Sequence, residues 1–577
     1  MKAKKSLVNS IMVMVILIAV LVFTGCSGGS KDNNTTTGTP APTEAAANTQ
    51  APTATAEPTK AVTTPEPTAE PTTEPAVTPE PTQAVSAQPE HLLIYIGNEF
   101  DSEWNDEQNM SNGWYEYDYP IIDPDQAVDY PRLSEAFDKY KGYKESITQD
   151  ILDDISSAAI SDEHYGEYFR NEYMSVLRAD SNLVSIQYNY SIFTGGIHGQ
   201  WGTFGICWDP VTGQPIELKD IIKDKDAFVK TAYDELMTKY TPDDFFENDM
   251  KSYISHCLEN DVLSFEIGYD YLSVIFNPDE VYYSQIYVDI PFKGNETLFN
   301  EKYLAVPSDY MVNFNKTLEF RADFNHDGTV DKVDIYRDLV DEYENFSGFT
   351  YYLNDQPIPK NFDFEYTCYE MEPVYIHANG KDYIYITTWF DSDDTETYAY
   401  RIDMNENGYD ENAEDNPYGT IVEIDHGTLW DFASNGSYDP MNMAMKCRRD
   451  MIGTNFIKAD YRVGSDGLPE LISDAYYFTY GYELTTLQEL EMKEVSWDDY
   501  EVTGDVTVAV GEKLTMYRTD GRTYVDFMRN VNGLDTVVRL EMTEKRIDFD
   551  DGDYYITYGI KGFENAYEVF DGIGYAD

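Results

Sequence analysis

Oxygen-bearing side chains recur at every second residue along Asp323-Phe324-Asn325-His326-Asp327-Gly328, and the run continues Thr329-Val330-Asp331-Lys332-Val333-Asp334. Asp, Asn, Asp, Asp and Asp occupy positions 1, 3, 5, 9 and 12 of this stretch, with Gly at position 6. Calcium takes about six to eight oxygens, and alternating ligands on a tight turn deliver them to one point. Asp323, Asn325, Asp327, Asp331 and Asp334 are thus candidate ligands through their side chains, and Thr329 through its backbone carbonyl. The competing reading is an Asx turn between two strands that holds no ion. A weaker echo, Asp403-Met404-Asn405-Glu406-Asn407-Gly408-Tyr409-Asp410-Glu411, has Asn at position 5. That residue removes a formal charge, so a plain turn is favoured there.

No other constellation names a reaction. The seven histidines are scattered, with no His-Glu-x-x-His among them. The Gly-x-Ser-x-Gly match, Gly25 to Gly29, has no strand before it and no helix after it, as a nucleophile elbow requires. Gly195, Gly196, His198 and Gly199 form a glycine-rich turn after a strand and are candidate binding-loop residues; a lone His in such a turn more simply orients the loop. With 106 Asp and Glu, any two carboxylates fit a glycosidase pair, so that signal carries no weight.

The N-terminus addresses the chain to the cell exterior. Lys2, Lys4 and Lys5 precede the apolar run Ile11 to Phe23, and Thr24, Gly25 and Cys26 follow at once. A short basic start, a short apolar core and small residues mark a secretory signal, and the run is shorter than the roughly 20 residues a spanning helix needs. From Ser27 to about Glu90 the composition is Thr, Pro, Ala and Glu, and Thr64-Pro65-Glu66-Pro67-Thr68 returns as Thr78-Pro79-Glu80-Pro81-Thr82. With little to bury and many prolines, this segment is predicted to be a disordered, extended stalk.

The formal charge of −66 excludes nucleic acid as a partner, because phosphate binding needs clustered Lys and Arg. It suits a solvated surface or a cationic ligand. The 49 tyrosines suit strands with one exposed face, and also platforms for sugar. Beyond Cys26, four cysteines remain. An exported context permits disulfides, and Cys207–Cys257 with Cys368–Cys447 is the most economical pairing; four buried thiols are the alternative.

The elements predicted from periodicity begin with a strand at 92–96. A helix over 144–157 carries Ile147, Ile151 and Ile155 on one stripe. Strands follow at 182–193 and 203–208, then a turn at 209–213. A second helix covers 226–240, and strands at 262–267, 272–276 and 285–292 close the unit. Short aromatic strands separated by Asn, Asp and Gly turns fill the second half, among them 349–353, 374–377, 383–386 and 399–402. The expected fold is an α+β domain over 91–312, an antiparallel sheet with two or more helices, followed by a mostly-β domain over 313–577. The signal peptide covers 1–25 and the stalk 26–90.

Several of these stretches carry a resemblance. Phe23-Thr24-Gly25-Cys26 resembles a lipobox, which implies cleavage before Cys26, lipidation of its thiol and anchoring at the outer face of the cell membrane. Tyr130-Pro131-Arg132-Leu133, Tyr188-Asn189-Tyr190 and Thr194-Gly195-Gly196-Ile197-His198-Gly199 stand in series. Leu218-Lys219-Asp220-Ile221-Ile222, Phe276-Asn277-Pro278-Asp279-Glu280-Val281 and Val288-Asp289-Ile290-Pro291-Phe292 follow them. Over about 91–305 this order resembles the RsiV-type extracytoplasmic domain of unknown function, found in a lysozyme-sensing anti-sigma factor and upstream of some peptidoglycan deacetylases. The chain departs from both settings: no sigma-binding segment precedes the anchor, and no deacetylase metal motif follows. The 323–334 loop is similar to calcium loops of EF-hand, dockerin and FG-GAP-type repeats. Together these imply a surface lipoprotein with a non-catalytic binding role, its ligand a protein such as lysozyme or a peptidoglycan component, with calcium as cofactor. The alternative is a wall-glycan-acting enzyme or carbohydrate-binding accessory protein.

Lipidation is directly testable. Metabolic labelling with a palmitate analogue is expected to mark the wild-type chain and to be lost in Cys26→Ser; equal labelling of the two overturns the anchor.

Overall fold

The computed structural model describes residues 89–105, 110–161, 168–195, 198–325, 327–341, 343–358, 362–390, 395–405, 416–427, 431–432, 436–548 and 554–574. Cys26, the stalk, Gly196, His326 and most of the 403–411 loop lie outside these residues.

Strands β1 (Ile94–Asn105) and β2 (Met110–Ile122) open the fold as a long antiparallel pair. Tyr115, Tyr117 and Tyr119 alternate along β2 and are buried on one face beneath helix α1 (Pro131–Ser161). Proline at the first helical position is preset for the turn and gives up an N–H that needs no partner there. Leu133, Phe137, Leu152 and Ile155 form the buried side of α1, each worth about 1.5–3 kcal/mol on burial. The helix carries the chain back to β3 (Tyr168–Asp180), which pairs parallel to β2, as only a crossover connection allows. Antiparallel β4 (Leu183–Phe193), β5 (Gln200–Asp209) and β6 (Gln214–Pro215) complete a six-stranded sheet in sequence order.

Helices α2 (Leu218–Ile221), α3 (Lys225–Lys239) and α4 (Met250–Glu259) follow. Asp224 caps α3 by accepting the Ala227 N–H at 3.0 Å, and Asp249 caps α4 by accepting that of Ser252 at 3.0 Å. Their apolar sides, including Phe228, Leu236 and Ile254, share one core with β7 (Ser264–Ile267), β8 (Tyr271–Phe276) and β9 (Ile286–Pro291). This three-stranded sheet lies against the six-stranded one so closely that a Cβ at Gly205 would fall 1.8 Å from the Phe265 carbonyl oxygen; only glycine fits.

After α5 (Glu301–Leu304) come β10 (Tyr310–Asn313), β11 (Glu319–Ala322), β12 (Asp331–Leu339), β13 (Phe346–Leu353), β14 (Gln356–Pro357), β15 (Phe362–Ala378), β16 (Lys381–Phe390), β17 (Thr395–Met404) and β18 (Gly419–Gly427). They form a nine-stranded sheet in the order β11-β12-β13-β15-β16-β17-β18, with β10 on β15 and β14 on β13. A thirteen-stranded sheet spans Asp431 to Asp571. Among the described residues no helix is long and apolar enough to cross a membrane.

Two expectations are corrected. The chain is not an α+β domain followed by a β domain: sheets run throughout, and strands dominate the N-terminal folded region too, with five α-helices among the described residues. The cause lies in 94–122, where acidic residues alternate with aromatic ones. An edge strand such as β1 tolerates and even favours charge, so the residues beyond the strand expected at 92–96, to which the sequence pattern assigns no element, pair as a hairpin. The first sheet is also not purely antiparallel, because β2 and β3 run parallel. Of the two cysteine readings, the structure has the buried thiols: none of Cys207, Cys257, Cys368 and Cys447 forms a disulfide. Cys368 and Cys447 sit in different cores, and burial pushes the Cys207 and Cys368 thiols up to about 12.

Between α1 and the sheet lies a buried charge cluster. Glu172 is fully buried and accepts from Lys144, from Arg170 Nε at 2.6 Å and from Tyr115 Oη at 3.0 Å. Burial alone raises a carboxyl group's pKa, but Lys144 and Arg170 outweigh it and hold Glu172 down to about 2. A carboxyl depressed in the folded state adds stability above its unfolded value near 4.5 and loses it as pH falls towards about 2. Glu172→Gln leaves the Lys144 ammonium buried beside Arg170 without its anion. We expect a loss of about 3–5 kcal/mol in denaturant unfolding at pH 7, and a smaller difference from wild type as pH drops below 4; equal stability at pH 7 contradicts this account.

Candidate functional site

The acidic loop joins β11 to β12. Asp323 is buried; its N–H donates to Asp270 Oδ2 at 2.6 Å, and its own Oδ2 accepts the Gly328 N–H at 3.0 Å. Asn325 Oδ1 accepts the Asp327 N–H at 3.0 Å, and Asp327 Oδ1 accepts the Thr329 N–H at 2.7 Å. Gly328 turns the chain at φ +91°, where other residues are strained. Asp331 is only 4% exposed; its Oδ1 accepts Asn354 Nδ2 at 2.7 Å. Burial, followed by Asp327 and Asp323, pushes its carboxyl up to about 7, against the pull of Asn354.

The structure separates Asp334 from this group. Asp331 and Asp334 are three residues apart on one strand, so they point to opposite faces; Asp334 pairs with Lys332 at 3.0 Å instead. In the echo loop Arg401 grips Asp403 with two contacts of 2.6 Å. Among the described residues, no three His, Cys, Asp or Glu side chains are gathered into a ready-made metal cage.

The glycine turn is a connector. Gly195 has φ +96°, and His198, exposed, meets the Gly199 carbonyl through Nδ1 at 3.1 Å. The Asn-Pro segment is a fastener: Asn277 Oδ1 accepts the Thr203 N–H at 2.7 Å and Asn277 Nδ2 donates to the Thr203 carbonyl at 3.1 Å, tying β5 to the smaller sheet.

Sequence reasoning missed a row of aromatic rings. On the sheet face opposite α1, Trp114 of β2 lies beside Phe169 of β3, which lies beside Phe193 of β4. The Trp114 and Phe169 rings stack at 5.1 Å and 14°, with Phe100 of β1 at 5.9 Å from Trp114 and Phe193 at 6.3 Å from Phe169. Phe100, Trp104 and Trp201 are 60%, 55% and 50% exposed. Glu116 is the cross-strand partner of Phe100 on this face, whereas Asp101 and Glu103 alternate onto the other face of the same edge strand. The product is an exposed aromatic surface with the Glu116 carboxylate beside Phe100, at the end of the sheet that bears the glycine turn. The alternation Phe100-x-Ser102-x-Trp104 was its legible trace; the row itself assembles from four strands.

No family model matches the chain, and no curated protein matches it. Among solved structures, the chain is similar to a member of the DUF3298 family from Bacteroides fragilis NCTC 9343, with 17% identity over 37% of this chain and 96% of that one and a TM-score of 0.28. A DUF3298 family protein from Pseudomonas aeruginosa PAO1 matches with 14% identity over 38% of this chain and 99% of that one, at a TM-score of 0.25. Its structural neighbours thus include proteins of a domain family of unknown function, weakly matched.

Proposed function

We propose that this chain is a lipid-anchored protein on the outer face of the cell membrane, carrying an RsiV-like module that binds a cationic, envelope-directed protein such as lysozyme. The observation that carries the reading is the exposed aromatic row, with Glu116 beside Phe100, on the six-stranded sheet. Aromatic residues concentrate at protein interfaces because they bury much area and lose little rotamer freedom. A chain of charge −66 attracts a basic partner and speeds its encounter. Arg and Lys of such a partner gain further by lying over ring faces. The exposed rings also favour a second ligand, a wall glycan, in keeping with a carbohydrate-binding accessory role.

Simple electrostatic adsorption is the competing outcome, and salt separates the two, since the screening length is about 8 Å at physiological ionic strength. Titration of the chain lacking its first 26 residues with lysozyme is expected to show saturable binding that survives several hundred millimolar salt. Phe100→Ser with Trp104→Ser, both at exposed positions, is expected to weaken it at least tenfold. Binding that vanishes in salt, or that ignores the double substitution, overturns the reading; retention on insoluble peptidoglycan in its place points to the glycan.

A further inference from the structure

We propose that the β11–β12 loop binds one calcium ion through Asp323, Asn325, Asp327, the Thr329 carbonyl and Asp331, and that the ion locks this hairpin to the β7–β8 turn. Asp331 carries the argument. It is 4% exposed, and its Oδ1 is committed to Asn354, while Oδ2 is buried with no hydrogen-bond partner among the described residues. A buried carboxylate oxygen left without a partner is costly. The carboxylates acting on it are Asp327 and Asp323 of the same loop. Asp331 Oδ2 thus feels two carboxylates of its own loop and has no donor within hydrogen-bond distance among the described residues, a setting that a cation would relieve. All candidate donors are oxygens, and calcium accepts an irregular shell of them where magnesium holds to a stricter octahedron.

The geometry departs from the twelve-residue pattern. The chain leaves the loop as a strand, so Asp334 turns to Lys332 on the other face and the ligand set ends at Asp331. Water completes the shell. The neighbouring loop approaches, with Asn325 Nδ2 at 3.5 Å from the Asn405 carbonyl oxygen, but its Asp403 is held by Arg401. One ion is therefore the expected stoichiometry. The lock follows from Asp270, which lies between β7 and β8 and takes the Asp323 N–H at 2.6 Å. Whatever fixes Asp323 also fixes that turn.

The test uses the chain lacking its first 26 residues, stripped with chelator and titrated with calcium chloride alone. We expect one site of submillimolar affinity and a higher melting temperature in millimolar calcium than in chelator. Asp331→Asn should weaken binding at least tenfold, and Asp334→Asn should leave it within about twofold, since one lies inside the set and the other outside. Should Asp331→Asn fail to fold by far-UV circular dichroism, Asp327→Asn, at an exposed position, decides in its place. Hydrogen exchange in residues 264–276 should slow with calcium. Identical melting in chelator and calcium, or binding lost in Asp334→Asn but kept in Asp331→Asn and Asp327→Asn, overturns the site; binding without slower exchange in 264–276 overturns the lock.

Discussion

Arg178 is the constraint on which the arrangement of sheets depends. Its side chain is fully buried on β3 and pairs with the equally buried Asp180, Nε to Oδ2 at 2.7 Å. Its remaining donors reach backbone carbonyls from elsewhere in the chain: Tyr303 at 2.7 Å, Ala305 at 2.9 Å and Gly268 at 3.5 Å. Asp180 in turn accepts the Asn182 and Leu183 amides that turn the chain from β3 into β4. A guanidinium has five donors and cannot shed its charge, so its burial is tolerable only when each of these segments is in place. The six-stranded sheet, the β7–β8 turn and the segment entering β10 are thereby fixed together. Tyr269, adjacent to Gly268, accepts the Ala179 N–H through its hydroxyl at 3.1 Å and stacks at 4.0 Å on Tyr310.

That fixed frame explains how one sheet serves two purposes. Near Arg178 its outer face is covered by the smaller sheet, where Gln187 of β4 donates to the buried Glu266 at 2.8 Å. Towards the far end the covering stops, and the same face carries the rings from Phe100 to Phe193. Burial at one end holds the strands in register, and register lines the rings up at the other. The acidic residues on β1 keep this edge from pairing with another strand.

Much of the local structure was legible. The helix at 226–240 is Lys225–Lys239, because its apolar spacing and its Asp224 cap agree. The strand at 182–193 is Leu183–Phe193 for the same reason, an uninterrupted alternation. What failed was non-local. Periodicity says which face of β2 is buried but not that its next partner would be parallel, thirty-one helical residues later. The hairpin at 94–122 hid behind its charges. The spacing of Asp331 and Asp334 promised two ligands, but a strand sends them to opposite faces. The aromatic row draws single residues from four strands, so no window of sequence contains it.

The most direct test of the central claim, that this open face is the recognition surface, is hydrogen exchange with and without saturating lysozyme in moderate salt. The account predicts slowed exchange in residues 98–104, 113–116 and 191–201, with the thirteen-stranded sheet unchanged. Protection confined to other segments, or none at all, would contradict it.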